Sequence, residues 1–312
     1  MGRTWISPRD LDVGSIGKPE VLALDFDGVI CASSGESSYT SVIAACRFWP
    51  GDVSVALGSK EFEMIRAGVH ALRPIVETGY ENMLLVRRLI NELRSTGSAK
   101  KSLDVAGLME IWSPAMRDSL LAEYGSDKDT MIKAFGDCRD SLIAEDLKFW
   151  VGLNEVYPWT LGVMRQTVDY TIVTTKQARF VEAILTSNRI APPPKEKLFD
   201  LENPFGSKIR VLQAILRGVP ATSTKTVEQM LETPMLPPSK RPLVHFVEDR
   251  VETLQAILQV PELRENTVLY LVEHGYNTHE QRMVAKNSNG VIQLLAPNAL
   301  QELVNKFSSN SD

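Results

Sequence analysis

The chain has 312 residues, 44% of them hydrophobic and 23% charged, with a formal net charge of −5. That is the balance of an ordinary globular protein with room for a core domain and a smaller second one. It excludes a general binder of nucleic acid or of an anionic membrane surface.

Residues 1–20 read as an irregular lead-in without the apolar centre of a signal peptide, and no apolar run reaches transmembrane length. A short strand is predicted over 21–26, ending in Asp25-Phe26-Asp27-Gly28. Residues two apart on a strand share a side, so Asp25 and Asp27 project together where it gives out. Gly28 lets the backbone turn sharply and approach a ligand closely. The serine-rich stretch 33–38 reads as a turn-rich link. From about 38 to 150 the pattern is helical, with helices over 61–72, 76–93, 104–112, 115–124 and 127–150. Residues 156–159 read as a return linker.

Beyond it, strands at 171–174, 198–201, 243–247, 267–272 and 291–295 alternate with helices at 177–185, 208–216, 226–231, 251–258, 279–285 and 300–307. Residues 218–242 are rich in Pro, Ser and Thr. Alternation of this kind implies an α/β fold with a parallel sheet and right-handed crossovers. The helical block interrupts it after the first strand, so 1–34 and 155–312 form a core and 35–154 an insertion. Three cysteines, Cys31, Cys46 and Cys138, have no CxxC spacing and an odd count, so they give no disulfide framework. The expected home is the cytoplasm or another reducing soluble compartment, an organelle included.

Three further segments carry chemistry. The strand at 171–174 ends in Thr174-Thr175-Lys176; Gly206-Ser207-Lys208 opens a helix; the strand at 243–247 runs into Glu248-Asp249. With Asp25-Phe26-Asp27-Gly28-Val29 they resemble, in order, the four motifs of the haloacid dehalogenase-like (HAD) hydrolase superfamily. The similarity is to its phosphatase type with a helical cap inserted after the first motif, as in phosphoglycolate phosphatase-like and β-phosphoglucomutase-like members. It covers 21–34 and 157–307, and the insertion only in kind and position.

The resemblance implies a Rossmann-like parallel-sheet core carrying an α-helical cap. It implies Asp25 as a nucleophile that forms an aspartyl-phosphate and Asp27 as the acid and base. Thr174, with Thr175 and Gly28, would hold the transferring phosphoryl group. Lys208 would neutralise it, with Lys176 competing for that role. Mg2+ would be bound by Asp25, the Asp27 backbone carbonyl, Asp249 and Glu248, an oxygen set that suits this ion. Dehalogenase members lack the second aspartate, so Asp27 points to phosphate chemistry on a small phosphorylated metabolite. A phosphomutase shares these motifs, and a non-catalytic phosphometabolite-binding protein on the same fold is the competing class. The 218–242 segment and the larger insertion depart from the family and leave the substrate unassigned.

Arg66, His70 and Arg73 fall at i, i+4 and i+7, either a solvated helical face or a reader of a distal anionic group. Tyr80 stands in a polar break at 77–81 that could dip into the site, and Asn277 or His274 in the loop after 272 could line it. The His and Cys residues form no triad or zinc set. No nucleic-acid or membrane partner is expected, and the oligomeric state is open.

Overall fold

A computed structural model describes residues 18–95, 103–165 and 168–308. The first part of the predicted lead-in, 1–17, lies outside the described residues. The chain divides into two compact units, Met1–Cys31 with Val156–Asp312, and Ala32–Glu155. The divisions fall at 31/32 and 155/156, not at 34/35 and 154/155.

The first unit is built on a six-stranded sheet of β1 (Glu20–Leu24), β4 (Thr171–Val173), β5 (Leu198–Phe199), β6 (Leu243–Glu248), β7 (Thr267–Val272) and β8 (Ile292–Leu295). Every pairing is parallel, in the order β5-β4-β1-β6-β7-β8. The near-continuous apolar runs of β1 and β4 follow from burial on both faces, as helices cover both sides of such a sheet. Leu24 is in register with Ile172 on one side and Val247 on the other. The strand order reverses about β1, which places the crevice for a ligand at the carboxyl ends of β4, β1 and β6. Val173, Phe199, Val211, Phe246, Leu254 and Leu271 form part of the core behind it. Helices α8 (Ala178–Ser187), α9 (Lys208–Leu216), α11 (Val251–Leu258) and α13 (His279–Lys286) alternate with the strands.

The second unit is helical: α1 (Ser34–Phe48), α2 (Lys60–Ala71), α3 (Glu81–Ser95), α4 (Val105–Ile111), α5 (Pro114–Glu123) and α6 (Lys128–Gly152). Helix α1 packs against α2, α3 and α6. Short strands β2 (Cys31–Ala32) and β3 (Glu155–Val156) lie at the two crossings between the units.

Local chemistry explains where the elements differ from expectation. The serine-rich stretch at 33–38 is not a link but the first turn and a half of α1. Its hydroxyls turn back on the helix, Ser37 donating to Ser34 O and Ser38 to Gly35 O, so they do not unwind it. Buried Glu36 then takes Arg139 through both oxygens at 2.8 and 2.6 Å, with Thr40 Oγ1 at 2.7 Å and Trp150 Nε1 at 3.2 Å. Tertiary anchoring of this kind outweighs local propensity.

Helix α3 starts at Glu81, not at 76, because Glu81 turns back to accept from Thr78 N, and a 3-10 turn at Arg73–Ile75 precedes it. The return linker becomes α7 (Pro158–Val163), with Pro158 at the first position, where its missing N–H costs nothing. Pro261 likewise opens the unpredicted α12 (Pro261–Arg264), and Pro297 starts α14 (Pro297–Asn305) earlier than 300. The expected 226–231 helix is α10 (Val227–Glu232), opened by a Thr226/Gln229 capping box. Helix α6 is broken at Asp146 (φ −153, ψ 91), whose carboxylate re-caps the last turn at Phe149 N, 2.9 Å.

Candidate active site

The four segments singled out in the sequence meet at the carboxyl ends of three adjacent strands. Asp25 directly follows β1 and continues its ladder, donating from its N to Val247 O at 2.9 Å. Thr174 directly follows β4, with Thr174 N on Phe199 O at 2.9 Å. Glu248 ends β6 and Asp249 follows it.

Lys208, the first residue of α9, is capped into place by Ser207 and reaches two carboxylates. Its Nζ lies 3.0 Å from Asp25 Oδ2 and 2.7 Å from Glu248 Oε2. Lys176 sits elsewhere: its Nζ, on a side chain only 1% exposed, lies 3.2 Å from Asp27 Oδ1. The two lysines that competed for one role therefore serve different aspartates.

Electrostatics follow from burial. Asp25 is pushed up to about 7 by loss of water, opposed by the Lys208 ammonium and assisted by the charges of Glu248 and Asp27. Glu248 is also raised to about 7 by burial, against the pull of Lys208. Burial works against the charge on Lys208, but Asp25 and Glu248 outweigh it and hold its pKa above the ordinary lysine value.

Asp249 is wedged in place by backbone. Tyr276 N donates to Asp249 Oδ2 at 2.7 Å. A Cβ on Gly28, which has φ +85, would overlap the Asp249 carboxylate, and a Cβ on Gly275 would overlap Asp249 Cβ. Both positions thus exclude a side chain because of close approach.

Asp25, Glu248 and Asp249 each offer an oxygen within 4.8 Å of the others. Asp25 Oδ1 is buried and without a hydrogen-bond partner among the described residues. An all-oxygen set with an orphaned carboxylate oxygen, and an excess of carboxylates over ammonium groups, fits a hard divalent cation such as Mg2+. Glu248 is engaged on both oxygens, by Lys208 Nζ at 2.7 Å and by Arg250 N at 3.2 Å. With both Glu248 oxygens so engaged, Asp25 and Asp249 are the better-disposed donors.

Other expectations change. Gly28 N donates to Cys31 O at 2.8 Å, so that amide is spent on its own loop and is not offered to a phosphate. Thr174 does not cap α8; its Oγ1 accepts from Lys176 N at 3.1 Å and so shapes the loop that carries Lys176. Thr175 is half-buried in the same loop.

The Asn277 side chain is engaged within the protein. Its Nδ2 donates to Asp249 O and Val272 O, both at 2.9 Å, and its Oδ1 accepts from Arg282 at 2.9 Å, so the amide holds the loop behind Asp249. His274 Nε2 lies 3.3 Å from Val29 O, and its ring packs edge-to-face with the Tyr157 ring, centroids 4.4 Å apart. Glu252 accepts from Gln281 Nε2 at 2.6 Å, tying α11 to α13.

In the helical unit, Tyr80 is buried and part of the packing, with its phenol raised to about 12 by burial. Arg73 donates to Val76 O at 2.7 Å, and because α2 ends at Ala71 it does not continue the face of Arg66 and His70. Arg66 is paired with Glu63 at 2.7 Å.

Asp200, which follows β5 directly, was not singled out. Its Oδ2 accepts from Ala178 N at 2.8 Å and its Oδ1 from Glu202 N at 3.2 Å, so it fixes the start of α8 behind the Thr174–Lys176 loop. The signal was present, since Phe199-Asp200 repeats the pattern of an apolar strand ending in an acid.

No protein-family model matches the chain, and a search of curated proteins returns no match. Among solved structures, a predicted phosphatase from Clostridium acetobutylicum is similar at 14% identity, over 92% of this chain and 99% of that one, with a TM-score of 0.46. A predicted phosphoglycolate phosphatase from Haemophilus somnus 129pt is similar at 13% identity, over 91% of this chain and 97% of that one, with a TM-score of 0.47. Likeness at this level assigns neither a residue role nor a substrate to this chain.

Proposed function

We propose that the chain is a Mg2+-dependent phosphatase that hydrolyses a small phosphorylated metabolite through an aspartyl-phosphate. The observation that carries this reading is Lys208 Nζ, shared between Asp25 Oδ2 at 3.0 Å and Glu248 Oε2 at 2.7 Å, while Asp25 Oδ1 has no hydrogen-bond partner among the described residues. A nucleophilic carboxylate needs a cation near enough to steady it and to offset the charge of an incoming phosphate.

Asp25 attacks phosphorus and carries the phosphoryl group as an acyl phosphate. Lys208 steadies the accumulating negative charge, and Glu248 holds the lysine in place. Thr174 supports the phosphoryl oxygens through its hydroxyl proton, one of its two lone pairs being taken by Lys176 N. Asp27, aimed by Lys176, gives a proton to the leaving oxygen and then takes one from the water that opens the acyl phosphate. Asp25, the Asp27 carbonyl and Asp249 would hold Mg2+, which when bound supplies charge neutralisation and in-line alignment.

The test is release of inorganic phosphate from a panel of phosphorylated metabolites with Mg2+, with the Asp25→Asn protein as blank. Release above the blank supports the reading. Isomerisation of a sugar phosphate without free phosphate would replace it with a phosphomutase. A panel with no turnover, and binding only, would replace it with a sensor.

A further inference from the structure

The helical unit contains a cavity of about 380 Å³ that the proposed chemistry does not use. It lies where α6 breaks at Asp146, between that helix, α1 and the segment leading into α2. Its wall is an aromatic trio. Tyr39 sits edge-to-face with Phe62 at 5.5 Å and 75°, and with Phe149 at 5.3 Å and 71°. Phe62 is buried, but Phe149 is 43% exposed and Leu57, across the lining, is 64% exposed. Large apolar groups held open around a concavity of this size are the usual make-up of a small-molecule site.

The charge at the lining is unequal. Glu145 is exposed and forms no ion pair among the described residues, and Asp146 uses one oxygen on Phe149 N. Against these carboxylates stands Arg47, whose Nη1 is turned to Cys138 Sγ at 3.7 Å. Just outside, Glu63 is neutralised by Arg66. The Tyr39 phenol is raised by burial first and by Glu145 next, consistent with a negative field at that wall. Aromatic faces with a carboxylate excess attract organic cations and disfavour anions.

We propose that this cavity binds a small organic monocation: a tertiary or quaternary ammonium with an aromatic or branched alkyl body. The body fills the space between Tyr39, Leu57 and Phe149, and the cationic head meets Glu145 and Asp146. The proposal is independent of the phosphatase reading, because its readout is binding and not turnover.

The experiment titrates the full chain with benzyltrimethylammonium, with neutral N-benzylacetamide and with anionic phenylacetate, by calorimetry and saturation-transfer NMR. The cation should bind at least about tenfold more tightly than the neutral probe, and phenylacetate should bind weakest. Phe149→Ala and Glu145→Gln should each weaken the cation by about three- to tenfold. Glu145→Lys should reverse the preference between cation and anion. Both positions are exposed, and a thermal melt of each variant checks that it folds. Equal binding of the cationic and neutral probes, or cation binding unchanged by Glu145→Lys, would overturn the proposal. So would self-association of the wild-type chain in sedimentation that Phe149→Ala abolishes, since the occupant would then be a second copy.

Discussion

Lys208 Nζ lies 3.0 Å from Asp25 Oδ2, while Lys176 Nζ lies 3.2 Å from Asp27 Oδ1. Each aspartate of the opening motif thus has its own ammonium partner, and the two lysines should fail differently when removed. Lys208→Gln should suppress formation of the phosphoenzyme with every substrate, a loss of about 10²–10³ in rate for a missing electrostatic partner. Lys176→Gln should leave the first step with an aryl phosphate nearly intact and slow the steps that need Asp27 in position. Rapid-quench traces of the two variants with p-nitrophenyl phosphate check this; identical traces would mean that the lysines share one role.

Asp27→Asn separates acid from nucleophile. It keeps Asp25 and removes a proton donor and acceptor worth about 10²–10⁴ in rate. Alkyl phosphates, whose alcohol leaves poorly without a proton, should barely react. p-Nitrophenyl phosphate should give a burst of nitrophenol followed by slow turnover. Equal losses for alkyl and aryl esters, without a burst, would make Asp27 positional.

Burial raises Asp25 and Glu248 to about 7, from 3.8 and 4.5. A carboxyl whose folded pKa exceeds its unfolded value binds more protons when folded, so stability falls as pH rises towards and through the folded value. The metal-free protein should therefore melt at a lower temperature at about pH 8 than at about pH 5.5. A cation bound by ionised carboxylates should reverse the trend, so Mg2+ should raise the melting temperature more at the higher pH. Differential scanning fluorimetry with and without Mg2+ at both pH values measures it, and a melting temperature indifferent to Mg2+ at both would contradict the site.

The helical unit has its own test. Glu36 is fully buried and paired with Arg139 at 2.6 Å. Arg139→Met should destabilise that unit by about 3–5 kcal/mol, because it strips the main cation from a buried carboxylate. Adding Glu36→Gln should recover part of the loss, since the amide needs no counter-charge. Helical circular dichroism in a urea titration reads both; a double variant no more stable than the single one would show that packing of the Arg139 stem dominates.

The strands around the candidate site were legible because they are short apolar runs that end in acids or hydroxyls, and the candidate site lies at those ends. Asp25, Thr174 and Asp249 could be found this way, and Asp200 satisfies the same rule after a strand only two residues long. What could not be read was partner choice. Nothing in the spacing says that Lys208 reaches Asp25 and Lys176 reaches Asp27, since both follow from the reach of side chains across a folded sheet. The amides of Gly28 and Asn277 looked available because sequence does not reveal which carbonyl a turn will bring near. The 33–38 stretch misled for a related reason: serines favour turns locally, but Glu36 ties that segment to α6, a partner about a hundred residues away.

The account stands or falls on a covalent bond at Asp25. The most direct measurement quenches the protein in mid-turnover with p-nitrophenyl phosphate and Mg2+, reduces it with borohydride and maps the peptides by mass spectrometry. An acyl phosphate on aspartate is reduced to homoserine, so position 25 should carry that change, and only when Mg2+ and substrate are both present. Turnover with an unmodified Asp25, or homoserine at another aspartate, would contradict it.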